Sequence, residues 1–397
     1  MLNALISPQL YEVWNLTHPF FGLAAFLLGA CIGSFGNVCI WRMPRRESVV
    51  IVPSHCPSCD AHIAWYMNIP LLSWLVLRGR CWYCKTAISC RYPLVEAIVG
   101  ALFVLCWLKV TASPYGEPGL PLASLIPMWF IVSAAVVISL IDLEHFVIPS
   151  PIVVTGLILA TVLAIAMPAG HFLDYSHYAS RHHHMLTHGF LSFVLPAGSS
   201  LLESARFVAT VDLVLGIVHG GGILYVLGLI GDLLFPMSKH SSDEGAEILI
   251  EQDALTVDGE TGEWDDWLPR YKDEIRITGR LTPTGAEPVE IIATDTGVKV
   301  GETFTPREKI EAISVKATAW TLPQIAMGMG DVKLMAMIGA FFGPDGVLRI
   351  LFVGCVLGSA IGVTAWVIAK LRRRPTTNKV AFGVPLMVAA VLHMMLF

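Results

Sequence analysis

The stretch Ile131-Val-Ser-Ala-Ala-Val-Val-Ile-Ser-Leu-Ile-Asp142 ends an apolar run in a carboxylate, and Gly328-Met329-Gly330-Asp331 places a second carboxylate where another run begins. A charge at membrane depth is costly, so an intramembrane acid is rare and marks a site. Two such acids on separate apolar segments suggest a carboxylate pair that shares a proton and activates water, which is aspartyl-protease chemistry.

The composition supports the membrane setting. Of the 397 residues 55% are hydrophobic and only 14% charged, and several runs approach the roughly 20 apolar residues that a spanning helix needs. Eight segments stand out: Phe20–Trp41, Pro93–Val110, Pro121–Ile141, Ile148–Met167, Val208–Phe235, Val332–Phe342, Val347–Lys370 and Val380–Phe397. The expected fold is an all-α polytopic membrane protein with about eight transmembrane helices. The first run has no Lys or Arg before it and arginines after it, which reads as a retained span rather than a cleaved leader.

Loop charge sets the expected orientation. Arg42, Arg45, Arg46, Arg78, Arg80, Lys85 and Arg91 crowd the loop 42–92, and Lys370, Arg372, Arg373, Arg374 and Lys379 follow the seventh segment. Placing both loops inside puts the N-terminus outside and brings Asp142 and Asp331 to the same, cytoplasmic, side.

Three stretches are not membrane. In the first, 42–92, Cys56-Pro-Ser-Cys59 and Cys81-Trp-Tyr-Cys84 are two CxxC pairs at the spacing of a four-thiolate zinc ribbon, a structural site because four thiolates leave no open position. Paired disulfides are disfavoured in a reducing compartment. The remaining cysteines, Cys31, Cys39, Cys90, Cys106 and Cys355, read mostly as small buried hydrophobes. The second stretch, 169–207, carries His171, His177, His182, His183, His184 and His188 without a recognisable ligand spacing and reads as a solvated external loop. The third, 236–322, begins with an acidic run from Asp243 to Asp266, taken as a solvated tether. It continues with Glu274–Thr278, Pro288–Ala293 and Val298–Val300, whose alternation of polar and apolar residues predicts short antiparallel strands. A small β-rich cytoplasmic insert is expected.

Glycines before Asp331 allow close approach of another segment, and an acid in the first turn of a helix is favoured by the dipole. Asp142-Leu-Glu-His-Phe-Val-Ile-Pro149 supplies the partner, and Pro149 breaks the helix near Ile148. Asp212 and Asp232, at the ends of the fifth segment, lack such a context and read as interfacial acids.

With these residues in place, the chain resembles the type IV prepilin peptidases, bifunctional leader peptidases and N-methyltransferases of bacterial inner membranes. The resemblance also rests on Gly29-Ala-Cys-Ile-Gly33-Ser-Phe-Gly-Asn37-Val-Cys-Ile-Trp-Arg42-Met-Pro44, on Arg91-Tyr-Pro-Leu-Val-Glu96-Ala97 and on Ala381-Phe-Gly383-Val-Pro385. It implies Asp142 and Asp331 as the catalytic pair, Cys56, Cys59, Cys81 and Cys84 as zinc ligands, and S-adenosylmethionine as methyl donor. Prepilin or pseudopilin substrates are implied as well, with the lipid bilayer around the chain, pilus or secretion assembly components as further partners, and no nucleic acid. No glycine-rich loop for the methyl donor is recognisable. Glu96, Asn37 and the arginines of the first loop are its candidates by location, with a structural pairing of Glu96 to Arg91 as the competing role. Lys333 and Glu144 lie inside the aspartate motifs without an assigned task.

The resulting organisation is an external N-terminus and first helix (1–41), a zinc-binding, methyltransferase-associated loop (42–92), helices with the first aspartate and the histidine-rich loop (93–235), the acidic linker and β-rich insert (236–322), and the GxGD motif with the last helices (323–397). Three other readings compete. An intramembrane GxGD protease of the presenilin kind would lack the CxxC pairs. A proton-coupled transporter would show internal repeats and acids nearer the midplane. A zinc-ribbon scaffold would leave both aspartates without a purpose.

Overall fold

The computed structural model describes residues 19–111, 122–168, 205–234, 237–268, 273–282, 287–323, 327–372 and 381–396; the histidine-rich loop lies outside them. Two compact units form, Tyr225–Gly328 and the remainder of the chain.

The apolar segments are helical: α1 Pro19–Arg42, α2 Arg91–Thr111, α3 Leu125–His145, α4 Ser150–Ala166, α5 Ala205–Leu234, α6 Met329–Leu371 and α7 Gly383–Leu396. Five of these helices are long and apolar enough to cross a membrane, whereas α4 (17 residues) and α7 (14 residues) are apolar but shorter. The segments expected as the sixth and seventh spans are the two parts of α6, divided where Gly343 takes φ 64° and Pro344 follows. Only glycine reaches that conformation cheaply, and proline can then restart the helix because its missing N–H falls at an N-terminal turn. Among the described residues the protein is therefore mostly helical, with five helices long and apolar enough to span a membrane.

Without a hydrophobic drive between helices inside lipid, small residues set the close crossings. On α1, a Cβ at Gly29 would sit 2.7 Å from Phe103 and 2.8 Å from the Gly100 backbone, and one at Gly33 would sit 2.9 Å from the Glu96 backbone. This stripe seats α1 on α2. A Cβ at either Gly216 of α5 or Gly339 of α6 would overlap the other's carbonyl, so those backbones touch directly. Among the unpaired cysteines only Cys39 and Cys106 are buried, while Cys31, Cys90 and Cys355 are exposed on the protein surface. The expectation of mostly buried cysteines therefore holds for two of five.

In the second unit, eight antiparallel strands run in the order β3-β2-β1-β8-β4-β5-β6-β7. They are β1 Met237–Glu251, β2 Ala254–Val257, β3 Glu260–Glu263, β4 Glu274–Thr282, β5 Val289–Thr294, β6 Gly297–Val300, β7 Thr303–Pro306 and β8 Ala312–Pro323. The expected strands reappear as β4, β5 and β6. The acidic run is not a tether: Asp243 and Glu244 fall within β1, and the run continues through β2 and β3. Its charges masked an alternation in which Ile248, Ile250, Leu255 and Val257 are buried against Ile275, Ile277, Ile291 and Trp264. The first and last strands pair along their length, with Met237 opposite Pro323, so the insert starts and finishes at one place.

Candidate active site and metal centre

Asp142 lies one turn before the C-terminus of α3, which ends when Phe146 adopts φ 53° and donates its N–H to the Asp142 carbonyl at 2.9 Å. A left-handed non-glycine residue costs about 1–2 kcal/mol, and such strain gathers at functional sites. The turn carries the chain through Ile148 to Pro149, which opens α4. Asp331 occupies the first turn of α6. The Asp142 carboxylate is close enough for its charge to act on Asp331.

Ile148 is the wedge that joins the motifs. A Cβ on Gly330 would stand 3.1 Å from the Ile148 Cβ, and one on Gly383 would stand 3.3 Å from its Cδ1 and 2.8 Å from the Asp142 Oδ2. A side chain at 383 would displace the carboxylate, and one at 330 would press on Ile148. Asp142 is only 5% exposed and lies against the first turn of α7, with its Oδ2 buried and without a hydrogen-bond partner among the described residues. At the other end of α7, Lys109 donates to the Met394 carbonyl at 2.6 Å. A carboxylate at the amino end and an ammonium at the carboxyl end both complement the helix dipole. The Ala381–Pro385 motif thus belongs to the aspartate site, although its sequence holds no acid or base.

Glu144, two residues after Asp142, accepts a 2.6 Å hydrogen bond from Arg91 Nη1 at the start of α2. Arg91 therefore pairs with Glu144 and not with Glu96, whose Oε2 instead accepts the Leu71 N–H at 2.7 Å. Lys333 is exposed. Asp212, read as an interfacial acid, packs its carboxylate against Gly343, where an added Cβ would stand 2.6 Å from Oδ2.

The four cysteines of the CxxC pairs converge, with all Sγ atoms within 4.8 Å of one another. Each pair sits on the same turn. The Cys56 carbonyl accepts the Asp60 N–H at 2.8 Å and the Cys81 carbonyl accepts the Lys85 N–H at 3.1 Å, and Asp60 and Lys85 both take positive φ (56° and 60°). A tetrahedral ion with Zn–S of about 2.3 Å requires sulfur–sulfur edges of about 3.8 Å, and Cys56 Sγ lies 3.8 Å from Cys84 Sγ. The donor set and its spacing fit zinc. The Cys84 Sγ lies 3.3 Å from the Thr86 hydroxyl, and the clustered thiols act on one another, with Cys84 pulled down to about 6 by hydrogen bonding to Thr86 while Cys59 is pushed up to about 12.

Residues 27–110 match the family described as "Bacterial Peptidase A24 N-terminal domain", and residues 305–363 match "Type IV leader peptidase family". Two separate segments of the chain are thus similar to peptidase families, one on each side of the helix that carries Asp142. Among curated proteins it is similar to "Prepilin leader peptidase/N-methyltransferase" of Myxococcus xanthus, 42% identical over 39% of this chain and 44% of that protein. It also resembles "Type 4 prepilin-like proteins leader peptide-processing enzyme" of Escherichia coli, 36% identical over 38% of this chain and 61% of the relative. The protein of the first name from Stutzerimonas stutzeri is 34% identical over 36% of this chain and 54% of its own length. The chain thus spans about half the length of the curated relatives it matches. No solved structure matches. The four cysteines, Asn37 and Glu96 lie in the first matched segment and Asp331 in the second, while Asp142 falls between them.

Proposed function

We propose that this chain is a membrane aspartyl endopeptidase that removes the leader from type IV prepilins or pseudopilins and N-methylates the residue so exposed. The observation that carries the peptidase half is the convergence of Asp142, Asp331 and the amino end of α7 around Ile148. Two carboxylates held together share one proton. The ionised partner takes a proton from water, the resulting hydroxide attacks the scissile carbonyl, and the protonated partner donates to the carbonyl oxygen.

Water access follows from helix length. At about 1.5 Å per residue, the 17 residues of α4 and the 14 of α7 fall short of the roughly 30 Å hydrocarbon core. A short helix thins the bilayer around it, and α7 carries the site at its amino end. Loop charge places this end at the cytoplasmic face of a bacterial inner membrane, with the N-terminus outside, and the two parts of α6 count as separate crossings to complete eight. Assembly components of a pilus or secretion machine are the further partners in this reading.

The methyltransferase half is supported by the zinc ribbon and the cavity beneath it. That cavity, about 280 Å³, is lined by α1, α2 and the ribbon and includes buried Asn37, Arg42 and Glu96. Its volume approaches the lower end of small-molecule sites, about 300 Å³. Asn37 Oδ1 is buried without a hydrogen-bond partner among the described residues. A polar orphan beside aromatic walls fits a cationic ligand such as S-adenosylmethionine, which supplies an electrophilic methyl group when bound. Asn37, Glu96 and the rim residues Trp41 and Trp82 would hold it.

The test is mass spectrometry of a candidate prepilin co-expressed with the chain. Loss of the leader plus one methyl group, with cleavage abolished by Asp142→Ala and by Asp331→Ala, supports both halves. Cleavage without methylation removes the transferase, and unchanged cleavage in both variants removes the catalytic assignment.

A further inference from the structure

Three buried polar side chains meet the cavity beneath the zinc ribbon, and only one is fully employed. Arg42 donates to the carbonyls of Ser48 (3.2 Å), Val52 (2.7 Å) and Pro53 (3.1 Å), which closes the loop after α1. Glu96, 7% exposed, spends one oxygen on the Leu71 N–H. Asn37, 2% exposed, donates its Nδ2 to the Tyr92 carbonyl at 3.1 Å and leaves Oδ1 unpartnered. The orientation of that amide is fixed by chemistry: a flip would set its oxygen against the Tyr92 carbonyl.

The two acceptors are neighbours. Gly33 packs on Glu96 and Asn37 bonds to Tyr92, so residues four apart on α1 meet residues four apart on α2 in antiparallel order. Asn37 and Glu96 are thus displaced by about one helical turn, roughly 5 Å, along the same seam and on the same cavity. A buried acceptor without a donor costs about 1–3 kcal/mol, and a buried carboxylate asks for a partner of opposite charge. Trp41, Trp74, Trp82 and Tyr83 are among the lining residues, and aromatic walls favour a cation. The chemistry missing here is a small cation with several N–H donors.

We propose that Asn37 Oδ1 and the Glu96 carboxylate form a receptor for a primary α-ammonium group. This rests on the methyltransferase reading, because two sources of that group then exist: the new N-terminus of a cleaved peptide and the amino-acid end of the sulfonium donor. Asn37 and Glu96 act by positioning this group within the cavity.

The full-length chain in detergent is titrated with three probes: S-adenosylmethionine, a hexapeptide with a free α-amine and the same hexapeptide N-acetylated. The variants are Glu96→Gln, which keeps an acceptor for the Leu71 N–H, and Asn37→Leu. Zinc content and leader cleavage report folding in each. Loss of a charge-assisted hydrogen bond weakens binding by about tenfold or more. If the peptide terminus is the source, the wild type prefers the free amine over the acetylated peptide and both variants abolish the preference while binding S-adenosylmethionine normally. If the donor is the source, the variants weaken S-adenosylmethionine and leave the peptides unchanged. Should Asn37→Leu lose zinc, Glu96→Gln decides alone. Unchanged affinity of every probe in folded Glu96→Gln overturns the proposal. Absence of leader cleavage in the wild type would instead count against the peptidase reading, since the binding measurement does not depend on it.

Discussion

A single methyl group added at Gly383 tests the geometry of the aspartate site. The new Cβ would lie 2.8 Å from Asp142 Oδ2 and 3.3 Å from both Asp142 Cγ and Ile148 Cδ1. A carbon and an oxygen rest at about 3.3–3.6 Å, so the carboxylate must retreat by roughly 0.5–0.8 Å or α7 must tilt away. The backbone N–H of residue 383 is unchanged in Gly383→Ala, which isolates position from hydrogen-bonding capacity. Overpacking of this size costs about 1–3 kcal/mol of stability, too little to unfold a polytopic protein. Misplacement of a reacting group by about 1 Å costs up to about 100-fold in rate. Gly383→Ala is therefore expected to slow single-turnover leader cleavage by about 10–100-fold while zinc content stays normal. Gly358→Ala is the control, because its Cβ would meet Pro385 and Phe382 of the neighbouring segment only at 3.4 Å and 3.5 Å, ordinary contact distances. Wild-type cleavage by Gly383→Ala would refute the convergence of Asp142 with α7. Equal loss in both variants would show that α7 packing, not the carboxylate, is what the methyl group disturbs.

Removal of the metal should separate the two activities. Cys59→Ser or a strong chelator is expected to abolish methylation and loosen the 42–92 loop to protease, while cleavage by the Asp142–Asp331 pair persists; parallel loss of both activities would contradict this. The Arg91–Glu144 pair is partly exposed, with side chains 26% and 44% accessible, so Glu144→Gln should lower stability by no more than about 1 kcal/mol, as read by thermal unfolding in detergent. Because Met237 and Pro323 are paired neighbours, residues 237–323 are expected to fold as a soluble β domain when expressed alone. A chain with this segment replaced by a short glycine–serine linker should retain cleavage. A disordered isolated segment, judged by circular dichroism, would count against the first of these two outcomes.

The sequence revealed the site in proportion to how much of it is carried by side-chain chemistry. Asp142, Asp331 and the four cysteines are legible because charge at membrane depth and thiol spacing are rare patterns with few physical causes. Ile148 and Gly383 are not legible from chemistry alone. A glycine that matters because a carboxylate occupies the space of its missing Cβ announces itself only when the two segments, far apart in sequence, are seen together. The acidic insert failed for another reason. Charge density suggested solvated chain, yet Ile248, Ile250, Leu255 and Val257 alternate beneath those charges and are buried, as expected of strands with one wet face. The division of α6 at Gly343 and Pro344 was visible as the gap between the sixth and seventh apolar segments, since glycine and proline together signal the end of one helix and the start of the next.

Asp212 shows why an acid's neighbours decide its role better than its depth does. It lies seven residues into α5, about 10 Å along the helix, and at first sight rivals the aspartate pair. Its carboxylate, however, abuts Gly343, the one non-helical residue within α6. There the second part of α6 begins, at Pro344, with the positive end of a helix dipole and unpaired amides to satisfy. A carboxylate from another helix suits that position. Gly343 meets two demands at once, a positive φ and room for Asp212, and any side chain at 343 would violate both. Asp142 occupies a similar setting at the amino end of α7, and each acid has a second carboxylate within reach of its charge: Asp345, just past Pro344, for Asp212, and Asp331 for Asp142. Both acids thus lie against helix amino ends, and what sets Asp142 apart is the glycine-lined approach of the GxGD segment, where Gly330 and Gly383 both close on Ile148; the proposed role of Asp142 in activating water rests on that approach.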